Sequence, residues 1–136
     1  MSSATAEPAI YLVHPDRHER DRLRALFARH DYRVREFESA DSFLIACDSE
    51  GTGCLVIGLE RPLAHELLKR LRASGADIPA IMIAERSDVP AAVSAMRAGA
   101  SAFVEKPYSH SLLVREIRRF FVTTRSLQLM KSQGVP

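Results

Sequence analysis

The sequence predicts an α/β fold in which a doubly wound, five-stranded parallel sheet is covered by helices on both faces. Short apolar runs alternate with amphipathic stretches along the chain, and five such pairs can be counted. Strands and helices that alternate in this way form parallel sheets through right-handed crossovers. The 136 residues fit one domain. Any ligand site is therefore expected at the carboxyl ends of the strands.

The first three strands are predicted from apolar runs that are too short for helices. Residues 10–13 form a buried strand that ends at His14. Residues 32–37 contain several charged side chains, which favours a strand at the edge of the sheet. Residues 54–57 are uniformly apolar and end at Gly58. The first and third strands are thus expected inside the sheet.

Capping residues predict the helices between these strands. Asp16 is expected to cap a first helix over residues 16–30, and Ser39 a shorter second helix. Pro62 suits the first turn of a third helix, which Gly75 ends. Each crossover therefore carries one helix.

The second half of the chain continues the alternation. Residues 79–83 predict a fourth strand, followed by a helix that buries Val93 and Met96 and ends at Gly99. Residues 102–104 predict the last strand.

A final helix begins at Ser109 and sets the expected domain limits. We expect a flexible N-terminus over residues 1–8, one domain over residues 9–122, and a helical extension or linker over residues 123–136.

The composition excludes several classes of protein. Hydrophobic residues make up 46% and charged residues 26%, which disfavours disorder and collagen-like repeats. A net charge of +2 does not indicate a nucleic-acid or membrane partner. No apolar run approaches the roughly 20 residues of a membrane span, and the N-terminus lacks signal-peptide features, so we expect a cytoplasmic protein. Cys47 and Cys54 are expected to be reduced core thiols.

Three motifs at fixed distances carry a resemblance to a known family. Asp88-Val-Pro90 opens the fourth helix, Ala95-Met-Arg-Ala-Gly99 closes it, and Glu105-Lys-Pro107 follows the last strand. With the five βα units, the chain resembles a response-regulator receiver domain over about residues 9–121, and is most similar to the FixJ-like branch. This resemblance implies a flavodoxin-like, CheY-like (βα)5 fold with strand order 2-1-3-4-5. It also implies phosphorylation of an aspartate after the third strand, with Mg²⁺ held partly by two acids after the first.

The sequence departs from the family pattern at the residues that this chemistry needs. The two acidic positions fall on His14 and Pro15, the phosphoacceptor position on Gly58, and the hydroxyl position on Ala84. Glycine has no nucleophilic side chain, and Mg²⁺ prefers carboxylate oxygens. We therefore expect no phosphorylation at Gly58, no bound metal and no other cofactor.

His14 leaves several interpretations open. The simplest is a replacement side chain that fills the vacated acidic site. An imidazole at a strand end could also serve as a phosphohistidine, a metal ligand or a pH sensor.

The family residues that remain are Lys106 and Pro107 behind it. We expect Lys106 to stay solvated, to pair with a nearby acid, or to become neutral on burial. The nearby acids are Glu60, Glu85 and Asp16. Phe103 occupies the position of the aromatic residue that switches in the family, and we expect its ring to stay inward because it has no hydroxyl.

The resemblance also implies a contact face. In receivers the fourth helix, fifth strand and fifth helix commonly form the dimer or output face, which would place Met96, Arg97, Tyr108 and Arg118 near contacts. The final helix is basic, and we expect a solvated face there, with a partner or nucleic-acid contact as the alternative. No helix-turn-helix or zinc-finger pattern supports direct nucleic-acid binding by this segment.

Two hypotheses follow for function. The first is a pseudo-receiver: a phosphorylation-independent interaction module of two-component signal transduction that binds a histidine kinase, another regulator or a second copy of itself. The alternative is the N-terminal regulatory domain of a LuxR/FixJ-type transcription factor, truncated before its helix-turn-helix. An enzyme is not expected, because the strand ends offer neither paired carboxylates nor a nucleophile beside a base.

Overall fold

The computed structural model describes residues 8–46, 53–85 and 89–132, with side chains described as far as residue 121 except that of Val89. Strands and helices alternate strictly along these ranges. The elements are β1 (Ala9–Val13), α1 (Arg17–Arg29), β2 (Arg33–Phe37), α2 (Ala40–Ala46), β3 (Gly53–Ile57), α3 (Arg61–Ala73), β4 (Ala80–Ala84), α4 (Val89–Ala98), β5 (Ala102–Glu105) and α5 (His110–Ser132).

The five strands form one parallel sheet in the order β2-β1-β3-β4-β5, which confirms the predicted order and the edge position of β2. In the central pair, Val13 lies opposite Ile57. The residues that follow these two strands, His14 and Gly58, therefore emerge side by side at the carboxyl edge of the sheet. The backbone N–H of Gly58 donates to the carbonyl of Val13 at 2.8 Å, which fixes this register where the strands end.

Each face of the sheet has its own hydrophobic core. The first core packs α2, α3 and α4 on the sheet around Phe43, Leu67 and Leu68. The second packs α1 and α5 around Phe27 and Leu113. This double cover is the reason that the central strands are apolar at every position: β3 is buried from Gly53 to Ile57.

The helix ends follow the predicted caps. The Asp16 carboxylate accepts from the His18 N–H at 3.0 Å, and the Ser39 hydroxyl oxygen accepts from the Ser42 N–H at 3.1 Å. Gly75 and Gly99 follow α3 and α4 with φ of 92° and 121°, a conformation that favours glycine.

The prediction for α4 was wrong about its buried face. Val93 and Met96 are 43% and 47% exposed, whereas Ala91 and Ala95 are buried. Helical spacing fits both sets, and the sequence favours the larger apolar side chains for the core. In the structure the small alanines face the sheet, which leaves Val93 and Met96 toward solvent.

Some predictions fall on parts of the chain that are not described. These are residues 1–7 of the N-terminus that was predicted to be flexible, Cys47, Asp88 at the predicted start of the fourth helix, and residues 133–136 of the predicted extension. Cys54 is buried as expected, and burial raises the pKa of its thiol. The helix α5 continues past residue 122 to Ser132. Among the helices that the structure describes, none is long and apolar enough to cross a membrane.

Candidate functional site

The candidate site is a cavity of about 600 Å³ at the carboxyl edge of the sheet. Four strand ends bring His14, Gly58, Ala84 and Lys106 together in its lining. These positions are far apart in the sequence, and the parallel topology alone makes them neighbours. The acidic side chains in the lining are Asp16, Glu19, Glu60 and Glu85.

His14 is held in the wall of this cavity in its neutral form. It is 8% exposed, and its Nδ1 accepts from the backbone N–H of Asp16 at 3.0 Å. An accepting Nδ1 places the ring proton on Nε2. Burial, and then the positive charge of Lys106, lower the pKa of His14. Because Nε2 carries the proton, it has no free lone pair for attack on a phosphoryl group, which disfavours the phosphohistidine interpretation.

The imidazole of His14 occupies the space beside Gly58. A Cβ atom at position 58 would collide with Cδ2 of His14 and would lie 3.1 Å from its Cγ and Nε2. The backbone of Gly58 is outside the left-handed region, so the obstacle to a larger residue is the histidine and not the φ angle. The absence of a side chain at position 58 and the ring at position 14 are thus sterically matched.

Arg20 anchors the turn that carries His14, and sequence reasoning missed it. Its Nη1 donates to the carbonyl of His14 at 2.8 Å and to that of Pro15 at 3.3 Å, while its Nε lies 3.5 Å from a carboxylate oxygen of Glu36. The side chain is 16% exposed. In the sequence it is one of several arginines on α1, and only the folded chain distinguishes it.

Lys106 forms the opposite wall of the cavity. Its Nζ lies 3.3 Å from a carboxylate oxygen of Glu85, with the two side chains 29% and 83% exposed. An ion pair this open to solvent contributes little to stability. The backbone N–H of Lys106 donates to the carbonyl of Ala84 at 2.8 Å, and the peptide bond to Pro107 is cis. Of the three acids that the sequence offered, Glu85 is the partner.

Residues 10–118 match the family described as response regulator receiver domain. The chain belongs to this family. It is 35% identical over 115 residues to the transcriptional regulatory protein FixJ of Bradyrhizobium diazoefficiens, across 83% of this chain and 56% of that protein. The chain therefore spans about half the length of this relative.

Solved receiver structures share the fold. The structure is similar to that of the response regulator StyR, with a TM-score of 0.84 at 30% identity over 95% of this chain and 66% of that one. It is also similar to a response regulator receiver protein from Pseudoalteromonas atlantica, with a TM-score of 0.76 at 34% identity over 85% of this chain and 98% of that one. This receiver domain thus has the fold of its relatives.

The residues of this receiver domain do not fit the Mg²⁺ that the family implies. The carbonyl oxygens of His14 and Pro15 already accept from the Arg20 guanidinium, which also brings a positive charge to the turn after β1. Among the described residues, no three His, Cys, Asp or Glu side chains converge on a possible metal. Mg²⁺ is usually bound through one or two carboxylates together with water, and neither His14 nor Pro15 has a carboxylate.

The residues predicted for the contact face lie on different parts of the receiver domain. Met96 and Arg97 are exposed on α4, and Arg118 is exposed on α5. Tyr108 instead packs against the second core, where burial and then the nearby Glu19 carboxylate raise the pKa of its phenol. The Tyr108 side chain therefore lies toward α1, away from α4.

Phe103 lies on β5, partly buried against the first core. Its ring shares that core with Met82 and Ala95. This position puts it close beneath α4, on the same side of the sheet as Met96.

Proposed function

We propose that this receiver domain is a pseudo-receiver, which works in two-component signal transduction by protein association and without phosphorylation. The observation that carries the proposal is the steric match between Gly58 and His14. The phosphoacceptor position lacks a nucleophile, and its neighbouring space is filled by a ring that a hydrogen bond holds in place.

The surrounding residues support the same proposal. Ala84 has no hydroxyl to donate to a phosphoryl group, and the Arg20 guanidinium donates to the carbonyl oxygens of His14 and Pro15, the two positions where the family resemblance implies acids. Lys106 keeps the position that contacts the phosphoryl group in the family, but it lies beside Glu85. With these residues, phosphoryl transfer to position 58 has no nucleophile. The contact between a phosphoryl group and a hydroxyl at position 84, which follows transfer in the family, has no donor.

The test is a titration with beryllofluoride and Mg²⁺, followed by amide NMR spectra. We expect no site-specific shifts at Gly58, Ala84 or Lys106 in the natural sequence. The matched positive control is the triple variant His14→Asp, Pro15→Asp, Gly58→Asp, which restores the three carboxylates and keeps Lys106. Clear shifts at these loops in the natural sequence would contradict the proposal.

We place the contact face for a kinase, another regulator or a second copy on α4. Val93 and Met96 are large apolar side chains that stay about half exposed, and Arg97 is exposed beside them. Exposed apolar side chains grouped on one helix face favour an interaction site.

Sedimentation over a range of concentrations tests the homodimer version of this proposal. If copies associate through α4, Met96→Asp should weaken association strongly, whereas Leu63→Asp, a change at an exposed leucine on α3, should not. A chain that stays monomeric throughout would exclude the homodimer and leave a different protein as the partner.

An alternative function is the regulatory domain of a DNA-binding transcription factor. The observation that favours it is that FixJ relatives match this chain over about half of their own length. Reading the gene beyond codon 136 tests the alternative. A continuing frame that encodes a helix-turn-helix supports it, and an immediate stop codon counts against it.

A further inference from the structure

His14 links the end of β1 to the start of α1 through a single hydrogen bond. Its Nδ1 accepts from the N–H of Asp16, two residues further on, as the side chain of an Asx turn does. Asp16 in turn caps α1 through the N–H of His18. The position of the imidazole is thus coupled both to the first turn of α1 and to the space beside Gly58.

We propose that His14 is a proton-operated latch on the β1–α1 turn. The neutral ring accepts a hydrogen bond from the Asp16 N–H and fills the space beside Gly58. Protonation of the ring breaks this hydrogen bond and moves the ring out of that space. The proposal deepens the proposed function and rests on it, because it names an input for a site that no longer takes a phosphoryl group.

Hydrogen-bond chemistry supplies the switch. Protonation turns Nδ1 from an acceptor into a donor, and it then faces the Asp16 N–H, which is also a donor. Two donors cannot share this bond, so the protonated ring has to leave its position. It has room to do so, since His14 lines an open cavity.

The charges around His14 give the movement a direction. Lys106 and Arg20 disfavour a cation at the ring, whereas the carboxylates of Glu19 and Asp16 favour one. The other charged groups that line the cavity are Glu60, Arg61 and Glu85. A protonated His14 ring is therefore repelled by Lys106 and attracted toward the carboxylates of Glu19 and Asp16. Burial and Lys106 together lower the pKa of His14, so the neutral, closed form prevails at neutral pH.

The test is an NMR titration of the natural protein from about pH 7.5 to about pH 5, with no phosphodonor present. We expect the His14 ring nitrogens to start in the Nε2–H tautomer and to titrate below the ordinary histidine value of 6.5. The amides of Asp16 and Gly58 should shift with the same midpoint. The protection factor of the Asp16 amide in hydrogen exchange should fall about five- to tenfold, as expected for the loss of one hydrogen bond.

His14→Asn is the matched control. Its side-chain oxygen can accept from the Asp16 N–H in an ordinary Asx turn, and it does not titrate in this range. We expect the pH-dependent shifts at Asp16 and Gly58 to disappear. If His14→Asn fails to fold, Lys106→Met in the natural background serves instead, because loss of the positive charge should move the midpoint upward.

The latch is wrong if His14 titrates while the Asp16 and Gly58 amides stay unchanged, or if the same shifts persist in His14→Asn. Either result would leave the beryllofluoride test of the proposed function unaffected. A response to beryllofluoride, in contrast, would contradict the proposed function whatever the titration shows.

Discussion

The two sides of the candidate site are built differently. On the β1–β3 side, His14 and Arg20 are largely buried, and each makes hydrogen bonds that hold the turn after β1. On the β4–β5 side, Lys106 meets a largely exposed Glu85 in a single ion pair. At the first of these sides, packed contacts around His14 fill the space beside Gly58. At the second, the backbone N–H of Lys106 donates to the carbonyl of Ala84, and the Lys106 side chain pairs only with Glu85 among the described contacts.

This difference predicts where the domain is sensitive to substitution. Removing or crowding a buried, hydrogen-bonded group is costly, whereas an exposed ion pair contributes about 0–1 kcal/mol. The β1–β3 side should therefore contribute to the stability of the fold, and the β4–β5 side should not. Four experiments test this comparison.

The largest effect is expected from Gly58→Ala. One added methyl group collides with the His14 ring, and overpacking of this kind costs about 1–3 kcal/mol of unfolding free energy. Urea unfolding measures it. In a His14→Ala background the same change should cost much less, since the ring is gone. Equal costs in the two backgrounds would contradict the steric match.

Arg20→Met should have the next largest effect. It keeps much of the aliphatic part of the side chain but removes the donor to the carbonyls of His14 and Pro15, at a cost of about 1–2 kcal/mol. Arg22→Met on the same helix is the control, because the Arg22 side chain is 68% exposed and its side-chain partner is Glu19, three residues before it on the helix. We expect the control to change stability by less than about 0.5 kcal/mol. Similar losses in both variants would show that Arg20 is not an anchor.

Stability should fall in mild acid. The pKa of His14 is lowered in the folded state, so below the ordinary value of 6.5 the unfolded chain binds more protons. Its contribution is therefore fully present above pH 6.5 and is lost as the pH falls through the folded pKa. His65, whose pKa is lowered by burial and by Arg61, acts in the same direction.

Urea unfolding between about pH 5 and pH 7.5 measures this slope, and His14→Asn should flatten it while the part due to His65 remains. If the slope of unfolding free energy against pH is unchanged in His14→Asn, protonation of His14 is not the cause of the loss of stability in acid.

The smallest effect is expected from Lys106→Ala. The ion pair with Glu85 is exposed, so its loss should cost less than about 1 kcal/mol and should shrink further at high salt. Lys69→Ala, at an exposed lysine on α3, is the reference. If Lys106→Ala were more destabilising than Arg20→Met, the β4–β5 side and not the β1–β3 side would be the one that stabilises the fold.

The main features of the fold could be predicted because they follow from local rules. Apolar runs of four or five residues, a charged edge strand and the caps at Asp16 and Ser39 each depend on residues close in sequence. The α4 face was the exception. Helical spacing allowed either Val93 and Met96 or Ala91 and Ala95 to face the sheet, and only the folded chain shows that the alanines are the buried pair.

The candidate site could be located from the sequence, but its contacts could not be read there. The positions of His14, Gly58, Ala84 and Lys106 followed from the ends of the predicted strands and from the family motifs. The sequence left three acids as partners for Lys106, and nothing in it set Arg20 apart from the other arginines of α1. The partner of Lys106 and the role of Arg20 both depend on contacts between side chains of different helices and strands, which form only in the folded chain.

The sequence by itself determined which chemistry is missing, because a glycine cannot accept a phosphoryl group in any fold. Only the tertiary structure decided which side chain lies beside that glycine. The register of β1 against β3 sets His14 beside Gly58, although 43 residues lie between them. Steric exclusion acts only between atoms that are close in space. Residues this far apart in the sequence become close because the sheet pairs β1 with β3.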